Sequence, residues 1–281
     1  MINLLEKHAK SFYWASFFLS KNKFKKCSSL YNFCRTLDDI ADENNELKNK
    51  KENFFRFKND FINKNFTKPI IKEMWFLIES ENISKQVVID LFDGIETDLE
   101  EKVQINSKKE LLVYTYRVAG TVGLMMSKIL KVNNKEALKG AIDLGIAMQL
   151  TNIARDVCED KARNRQYIRH DFSSIQKIIK ESQVFYEKSF LSISSIPLRS
   201  RFSVIVARRV YKKIGDNILK QKNTDNYNKA GKIYVPVFEK IIQTFLSVVD
   251  FTKLLFVKNL NYDNHINHNI LREEVDINER I

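Results

Sequence analysis

Apolar residues recur every three to four positions through most of the chain. That period predicts helices over 4–19, 24–43, 51–64, 70–80, 85–101, 108–131, 135–160, 172–192, 199–221 and 232–258. Two of these windows differ from the rest. Leu111 to Leu130 and Ala141 to Cys158 are apolar on nearly every side and too long for strands, so both predict buried helices with the others packed around them. Pro69 and Pro197 stand near helix starts, where a missing N–H costs nothing. Ser84 and Asn134 are placed to act as N-caps. Residues 259–281 are polar and without period, and are expected to form a poorly ordered tail. No composition shift, repeat or low-complexity block divides 1–258, so the expected fold class is all-α: one single-domain helical bundle.

Composition narrows this further. Only 7 Gly and 3 Pro punctuate 281 residues, too few for the many tight turns of a sandwich or barrel. A net charge of +12 would suit nucleic acid, an anionic membrane surface or a polyphosphate substrate. The lysines are spread along the whole chain, however, and no basic stripe interleaved with aromatics marks a nucleic-acid face, so no nucleic-acid partner is expected. Cys27, Cys34 and Cys158 are odd in number and lack metal-type spacing, as in a reducing compartment. The N-terminus shows no charged-then-apolar signal pattern, and no apolar run approaches the ~20 residues of a membrane span. The expectation is a cytoplasmic protein, soluble or peripheral at the inner face of the membrane.

Two acidic constellations stand out from this background. In Tyr31-Asn-Phe-Cys-Arg35-Thr-Leu-Asp38-Asp-Ile-Ala-Asp42, the carboxylates of Asp38 and Asp42 are four apart and share a helix face with Arg35 and Tyr31. Most DxxxD spacings are merely solvated faces. The second set, Asn152, Asp156 and Asp160, steps by four along the apolar window 141–158, where unpaired carboxylates are costly and require a positive partner. Facing stripes of hard oxygen ligands without His or Cys suit Mg²⁺, with Mn²⁺ as a substitute, and not zinc. Arg35 and Arg155 add bidentate phosphate donors. With no GxxxxGK[ST] loop and no GxGxxG, the combination points to a diphosphate site, and in an all-helical chain to prenyl diphosphates.

In chain order, His8-Ala-Lys-Ser11-Phe12, the 31–42 motif, Tyr114-Thr-Tyr116-Arg-Val-Ala-Gly-Thr-Val-Gly123 and Gly145-Ile-Ala-Met-Gln149-Leu-Thr-Asn152-Ile-Ala-Arg155-Asp156-Val-Cys-Glu-Asp160 resemble the squalene/phytoene synthase family, its bacterial carotenoid-forming members most of all. The resemblance spans about His8 to Pro236. It implies a bundle of the isoprenoid synthase type around a central diphosphate and magnesium cleft. Asp38, Asp42, Asn152, Asp156 and Asp160 would hold Mg²⁺, and His8, Lys10, Ser11, Arg35 and Arg155 would contact diphosphate oxygens. Tyr31, Tyr114 and Gln149 would line the reaction chamber, with Phe12 beside it. Val118, Ala119, Val122, Gly123, Ala141 and Leu144 would border slots for the prenyl tails, and Tyr211 would reach a diphosphate from a late helix. Tyr31, Arg35, Asp38, Asp42, Tyr114, Arg155, Asp156 and Asp160 are thus the expected catalytic set.

The implied chemistry is a magnesium-dependent prenyl transfer: head-to-head condensation of two geranylgeranyl diphosphates to phytoene through a cyclopropylcarbinyl diphosphate, without NADPH. Joining two farnesyl diphosphates, as in squalene and dehydrosqualene formation, remains open, because chain length depends on slot depth. A non-catalytic relative acting as an assembly factor is disfavoured, since all five metal positions are intact. Peripheral membrane contact and hand-over to a downstream desaturase are expected because tails and product are apolar. Three positions depart from the family pattern. Cys158 and Asn164 stand where glycine is frequent, and Cys158 should point away from the metals. Lys232 seats where relatives carry a phosphate-binding arginine, keeping the charge but losing the fork.

Overall fold

The computed structural model describes residues 4–43, 45–257, 260, 262 and 266–281. The chain opens with α1 (Leu4–His8) and α2 (Lys10–Ser16), followed by α3 (Lys21–Asp42), α4 (Leu47–Ile62), α5 (Pro69–Glu81) and α6 (Lys85–Thr97). A two-residue strand β1 (Val103–Gln104) precedes α7 (Lys108–Thr115), a π-helical turn (Tyr116–Gly120) and α8 (Thr121–Ile129). Next come α9 (Lys135–Ala162), β2 (Arg165–Gln166), α10 (Phe172–Phe190) and a 3₁₀ turn (Leu191–Ser195). The chain ends with α11 (Leu198–Leu219), α12 (Thr224–Ala230), α13 (Val237–Leu255), α14 (Ile266–Arg272) and α15 (Ile277–Arg280).

The apolar window 135–160 is the central helix α9, packed on α8, α10, α11 and the π-turn. Its side chains Ile142, Ile146, Ala147, Leu150 and Ala154 are fully buried. Asn134 caps it as expected, accepting from the Ala137 amide at 2.9 Å. Ser84 precedes α6 with extended backbone, but its side chain makes no cap bond. The window 108–131 is one helical path interrupted by the π-turn, and 4–19 breaks at Ala9.

α8 and α9 cross at backbone contact because glycine stands on both sides. A Cβ on Gly123 would lie 2.2 Å from the Ala141 carbonyl oxygen, and one on Gly145 would lie 2.2 Å from that of Ala119. Gly123, expected as a slot wall, is thereby also a packing residue. Gly145→Ala should force α9 off the π-turn and cost about 1–3 kcal/mol or more, read as a lower urea midpoint at unchanged m-value.

Three features escape the apolar period. β1 and β2 pair in parallel, with Val103 N–H donating to Asn164 O and Ile105 N–H to Gln166 O, both at 3.0 Å. α12 lies inside an expected loop, and its buried Tyr227 hydroxyl bonds the carbonyls of Ala154 (3.0 Å) and Arg155 (2.8 Å) on α9.

The third is the tail, where the expectation of disorder is corrected by α14 and α15. Residues 258, 259, 261 and 263–265 of the predicted last helix and tail lie outside the described residues. Tyr262 and His268 are buried, and both bond the carboxylate of buried Asp143 on α9, His268 Nε2 at 2.6 Å. Arg280 Nε reaches Asp90 at 2.8 Å, beside the Tyr116 hydroxyl of the π-turn at 3.0 Å from the same oxygen. Polar composition reads as solvation, but here the polar groups answer buried carboxylates and so order the segment.

Candidate active site

On α3, Leu30, Phe33, Leu37 and Ala41 are buried in the core, while Tyr31, Arg35, Asp38 and Asp42 share a half-buried face. Burial pushes the Asp38 carboxyl up to about 7, the neighbouring Asp42 charge adds to this, and Arg35 opposes it. Arg35 turns partly aside: one terminal nitrogen pairs with the exposed Asp39 at 2.5 Å, and its Nε is buried without a hydrogen-bond partner. Asp42 accepts from Arg165 Nη1 at 2.7 Å and pairs with Arg163 at 3.1 Å.

On α9, the half-exposed positions are Ala141, Leu144, Met148, Gln149, Asn152, Arg155, Asp156 and Asp160, with the buried core positions between them. Between Ala141 and Asp156 these positions form a single accessible stripe on an otherwise buried helix. Asn152 Nδ2 donates to Gln149 Oε1 at 3.2 Å, and Asn152 Oδ1 is buried without a partner. Arg155 grips Asp156 with both arms of its fork, Nε to Oδ1 at 2.7 Å and Nη2 to Oδ2 at 2.5 Å. Lys232 bridges Glu159 at 2.6 Å and Asp156 at 3.4 Å, so the loop before α13 delivers its charge to this stripe. Asp160 is pushed up to about 7, first by burial and then by the Asp156 charge.

The two stripes converge on a residue that spacing did not reveal. Asp98, just past α6, repels the charge of both Asp38 and Asp160, and burial foremost raises its own carboxyl. Tyr114 donates to Asp98 Oδ2 at 2.9 Å and Tyr167 to Oδ1 at 2.5 Å, with the two rings stacked 4.7 Å apart. Arg165 closes the cluster, donating from Nη2 to the carbonyls of Ala41 and Asp98, each at 3.2 Å. Asp98 sits among Asp93, Glu96, Glu100 and Glu101, so composition could not single it out. The alternation in Arg163-Asn-Arg165-Gln-Tyr167 was the one available signal, and it matches the side-chain alternation of β2.

Among the remaining expected residues, Phe12 packs its ring 4.7 Å from that of Tyr211. Tyr211 is buried, with its hydroxyl in the field of Arg155 and Asp156. Burial raises the Tyr31 hydroxyl, which senses Arg35, Tyr211 and Asp38. Val118, Ala119, Val122 and Gly123 are half-exposed around the π-turn, which packs on α9. Ser11 is half-buried on α2, whereas His8 and Lys10 are exposed and form no hydrogen bond or ion pair among the described residues. Cys158 points away from the stripe to α12, donating to Asn228 Oδ1 at 3.3 Å, and burial raises its thiol.

Asn164 has φ of +57°, the left-handed region that glycine enters freely and asparagine tolerates. That conformation explains how asparagine stands where glycine is frequent. Asn164→Gly should therefore be nearly neutral, and Asn164→Val should cost about 1–2 kcal/mol, both read from thermal melts.

Among the described residues no three His, Cys, Asp or Glu side chains form a ready-made metal cage. The donor set nonetheless fits a cation shared with phosphate. Magnesium takes one or two carboxylates and completes its octahedron with water and phosphate oxygens. Asn152 Oδ1 is an orphaned buried acceptor, and Asp38 and Asp160 are desolvated carboxylates without an ion-pair partner among the described residues. All three carry only the oxygen chemistry that a hard cation needs.

A helical bundle around a long central helix, with the acidic stripes of α3 and α9 meeting at Asp98, is the isoprenoid synthase fold. The sequence profile of the family "squalene/phytoene synthase" matches residues 5–172, and the chain belongs to that family. Among curated relatives, a 15-cis-phytoene synthase of Pantoea ananas is 27% identical over 240 residues, 74% of this chain and 77% of its own length. A 15-cis-phytoene synthase of a Paracoccus strain is 31% identical over 150 residues, 47% of this chain and 49% of its own. Among solved structures, a dehydrosqualene synthase bound to a ligand superposes with a TM-score of 0.72 at 23% identity, covering 89% of this chain and 94% of its own. A squalene synthase from Alicyclobacillus acidocaldarius gives 0.63 at 20% identity, covering 78% and 91%. At these identities the structures speak for the fold alone.

Proposed function

We propose that the chain joins two molecules of geranylgeranyl diphosphate head to head into phytoene, with Mg²⁺ bound between the stripes of α3 and α9. The observation that supports this reading is that Asp38 on α3 and Asp160 on α9 both feel the charge of Asp98, while Asn152 Oδ1 is a buried acceptor without a partner. Its support from relatives is the naming of the matched curated proteins as phytoene synthases.

Bound there, the metal would neutralise charge on a departing diphosphate. Arg155 and Lys232 would add fixed positive charge on the α9 side, and Arg35 on the α3 side, with Ser11 as a hydroxyl donor. In the first half-reaction a diphosphate leaves, the double bond of the second molecule attacks the allylic carbon, and proton loss closes a cyclopropylcarbinyl diphosphate. In the second, the remaining diphosphate leaves, the carbon skeleton rearranges, and loss of another proton ends the sequence without a reductant. Tyr31 and Phe12 would offer ring faces to the cations. Val118, Ala119, Val122 and Leu144 would wall the apolar tails and keep out water, which would trap a cation. Tyr114 would be held in place by Asp98 and Tyr167.

No helix among the described residues is long and apolar enough to cross a membrane. The enzyme would instead meet its apolar substrate and deliver its product at a bilayer surface, from which a downstream desaturase would take it.

A second reading, condensation of two farnesyl diphosphates, is favoured by the fold match to a dehydrosqualene synthase. The test is a product assay with Mg²⁺ and either diphosphate, with and without NADPH, the extracted hydrocarbons being weighed by mass spectrometry. A C40 hydrocarbon from geranylgeranyl diphosphate without NADPH is the expected result. A C30 product moves the enzyme to the second reading, and no product from either substrate sinks both.

A further inference from the structure

α13 is amphipathic in the wrong direction for a helix that faces water. Most of its polar side chains point inward. Glu239 accepts from Asn217 at 2.6 Å, Asp250 from Arg209 at 2.6 Å, and Thr244 from the Trp14 indole of α2 at 3.0 Å. Lys240, Ser247 and Asp250 are buried. The outward side is apolar along the whole length of the helix. Phe238 is 71% exposed, Phe245 72% and Phe256, just past the end, 80%, with Ile241, Val248 and Val249 between them. The face continues onto α2 and α11: Phe18 packs on Phe202, Phe202 on Phe251, and Phe17 stands exposed beside Trp14. Solvated proteins rarely leave so long an apolar surface uncovered without a partner.

The border of this face indicates the partner. Both acids of α13 are turned inward and paired, so its outward side carries no negative charge, and Lys253 is its exposed cation. Directly after Phe17 and Phe18 the chain runs into Lys21 and Lys25, which are exposed and without ion pairs among the described residues. Arg199 is exposed beside Leu198 at the start of α11. On the flank of α13 a cleft of about 280 Å³ is lined by Arg208, Arg209, Lys212, Lys213 and Lys253 against Glu187, Asp216 and Asp250, a net positive pocket of headgroup size. Aromatic and aliphatic side chains ringed by cations, on a chain of net charge +12, complement a bilayer with anionic headgroups. A second copy of this chain would bring the same cations against themselves.

We propose that the outward face of α13, with Phe17 and Phe18, docks this protein on an anionic lipid bilayer. This deepens the bilayer contact proposed above and rests on it. The test floats the full chain with vesicles of equal parts phosphatidylcholine and phosphatidylglycerol, and with vesicles of phosphatidylcholine alone. Flotation is read without substrate, so its failure leaves the condensing reaction untouched, and a failed product assay leaves the docking face untouched.

The chain should float with the anionic vesicles and lose binding in high salt. Phe238→Ser with Phe245→Ser should lower the partition at least about tenfold, while Phe76→Ser, an exposed phenylalanine on α5, should leave it unchanged. All three side chains lie outside the core, and thermal melts would check that the variants fold. Equal flotation with both vesicle types, no flotation, or a double variant that binds like the parent would overturn the proposal. So would a parent that sediments as a dimer and does not float, with a monomeric double variant, which would make the face an interface between copies.

Discussion

Asp38→Asn should remove on the order of 10³-fold of product formation while leaving the helical fold intact. The substitution keeps the shape of the side chain and deletes the charge that would face the metal. Asp38 forms no ion pair among the described residues; Arg35 is the cation that favours its charge, and Arg35 is turned toward Asp39. Its carboxylate therefore contributes little to folding: burial and the Asp42 charge both work against the ionised form. In chelator, Asp38→Asn should raise the thermal midpoint, by about 2–4 °C for each kcal/mol of repulsion relieved. The pairing of lost turnover with gained stability separates a functional carboxylate from a structural one. A variant with parental turnover, or one that loses stability in chelator, would contradict the metal assignment. Asp156→Asn gives the contrasting case. It should also abolish turnover, but Asp156 is gripped by Arg155 and Lys232, so its loss should destabilise the protein.

The difference between these two aspartates shows what could be read from the chain before its structure. Spacing by four placed Asp38 with Asp42 and Asn152 with Asp156 and Asp160, because helix geometry alone decides which residues share a face. The all-apolar window around Asp156 placed α9 at the centre for the same local reason. Which carboxylate would be ion-paired is a tertiary matter. It depends on Arg163, just past α9, and Arg165 of β2 reaching across to α3, and on Lys232 arriving from the segment after α12. Asp98 was invisible because its partners Tyr114 and Tyr167 lie 16 and 69 residues from it, with no shared period. The tail was misread because the polar character of Tyr262, His268 and Arg280 gives no hint of the buried Asp143 and Asp90 that receive them. Periodicity sees what a helix buries, and it is blind to polar groups buried in pairs.

Arg165→Ala should cost about 3–5 kcal/mol, the largest stability loss expected from any single substitution considered. Arg165 is 9% exposed and stands at the meeting point of three elements. Its Nη1 holds the Asp42 carboxylate at the end of α3, and its Nη2 reaches the carbonyls of Ala41 and, past α6, Asp98. Removing the guanidinium leaves the Asp42 charge to Arg163 alone and strips Asp98 of its largest favourable charge. The Asp98 carbonyl loses its guanidinium donor, and the Ala41 carbonyl keeps only Lys50 Nζ at 3.4 Å. Three contacts to three separately placed oxygens require a planar fork, so Arg165→Lys should recover less than half of the loss. Urea unfolding of the two variants beside the parent measures this. Arg163→Ala is the control: Arg163 is exposed and duplicates only the Asp42 contact, so it should cost under about 1 kcal/mol. If Arg165→Ala unfolds like Arg163→Ala, the β2 segment is a bystander to the joining of α3 and α6. If it unfolds as expected, the residue that sets the spacing of the two acidic stripes lies outside both of them.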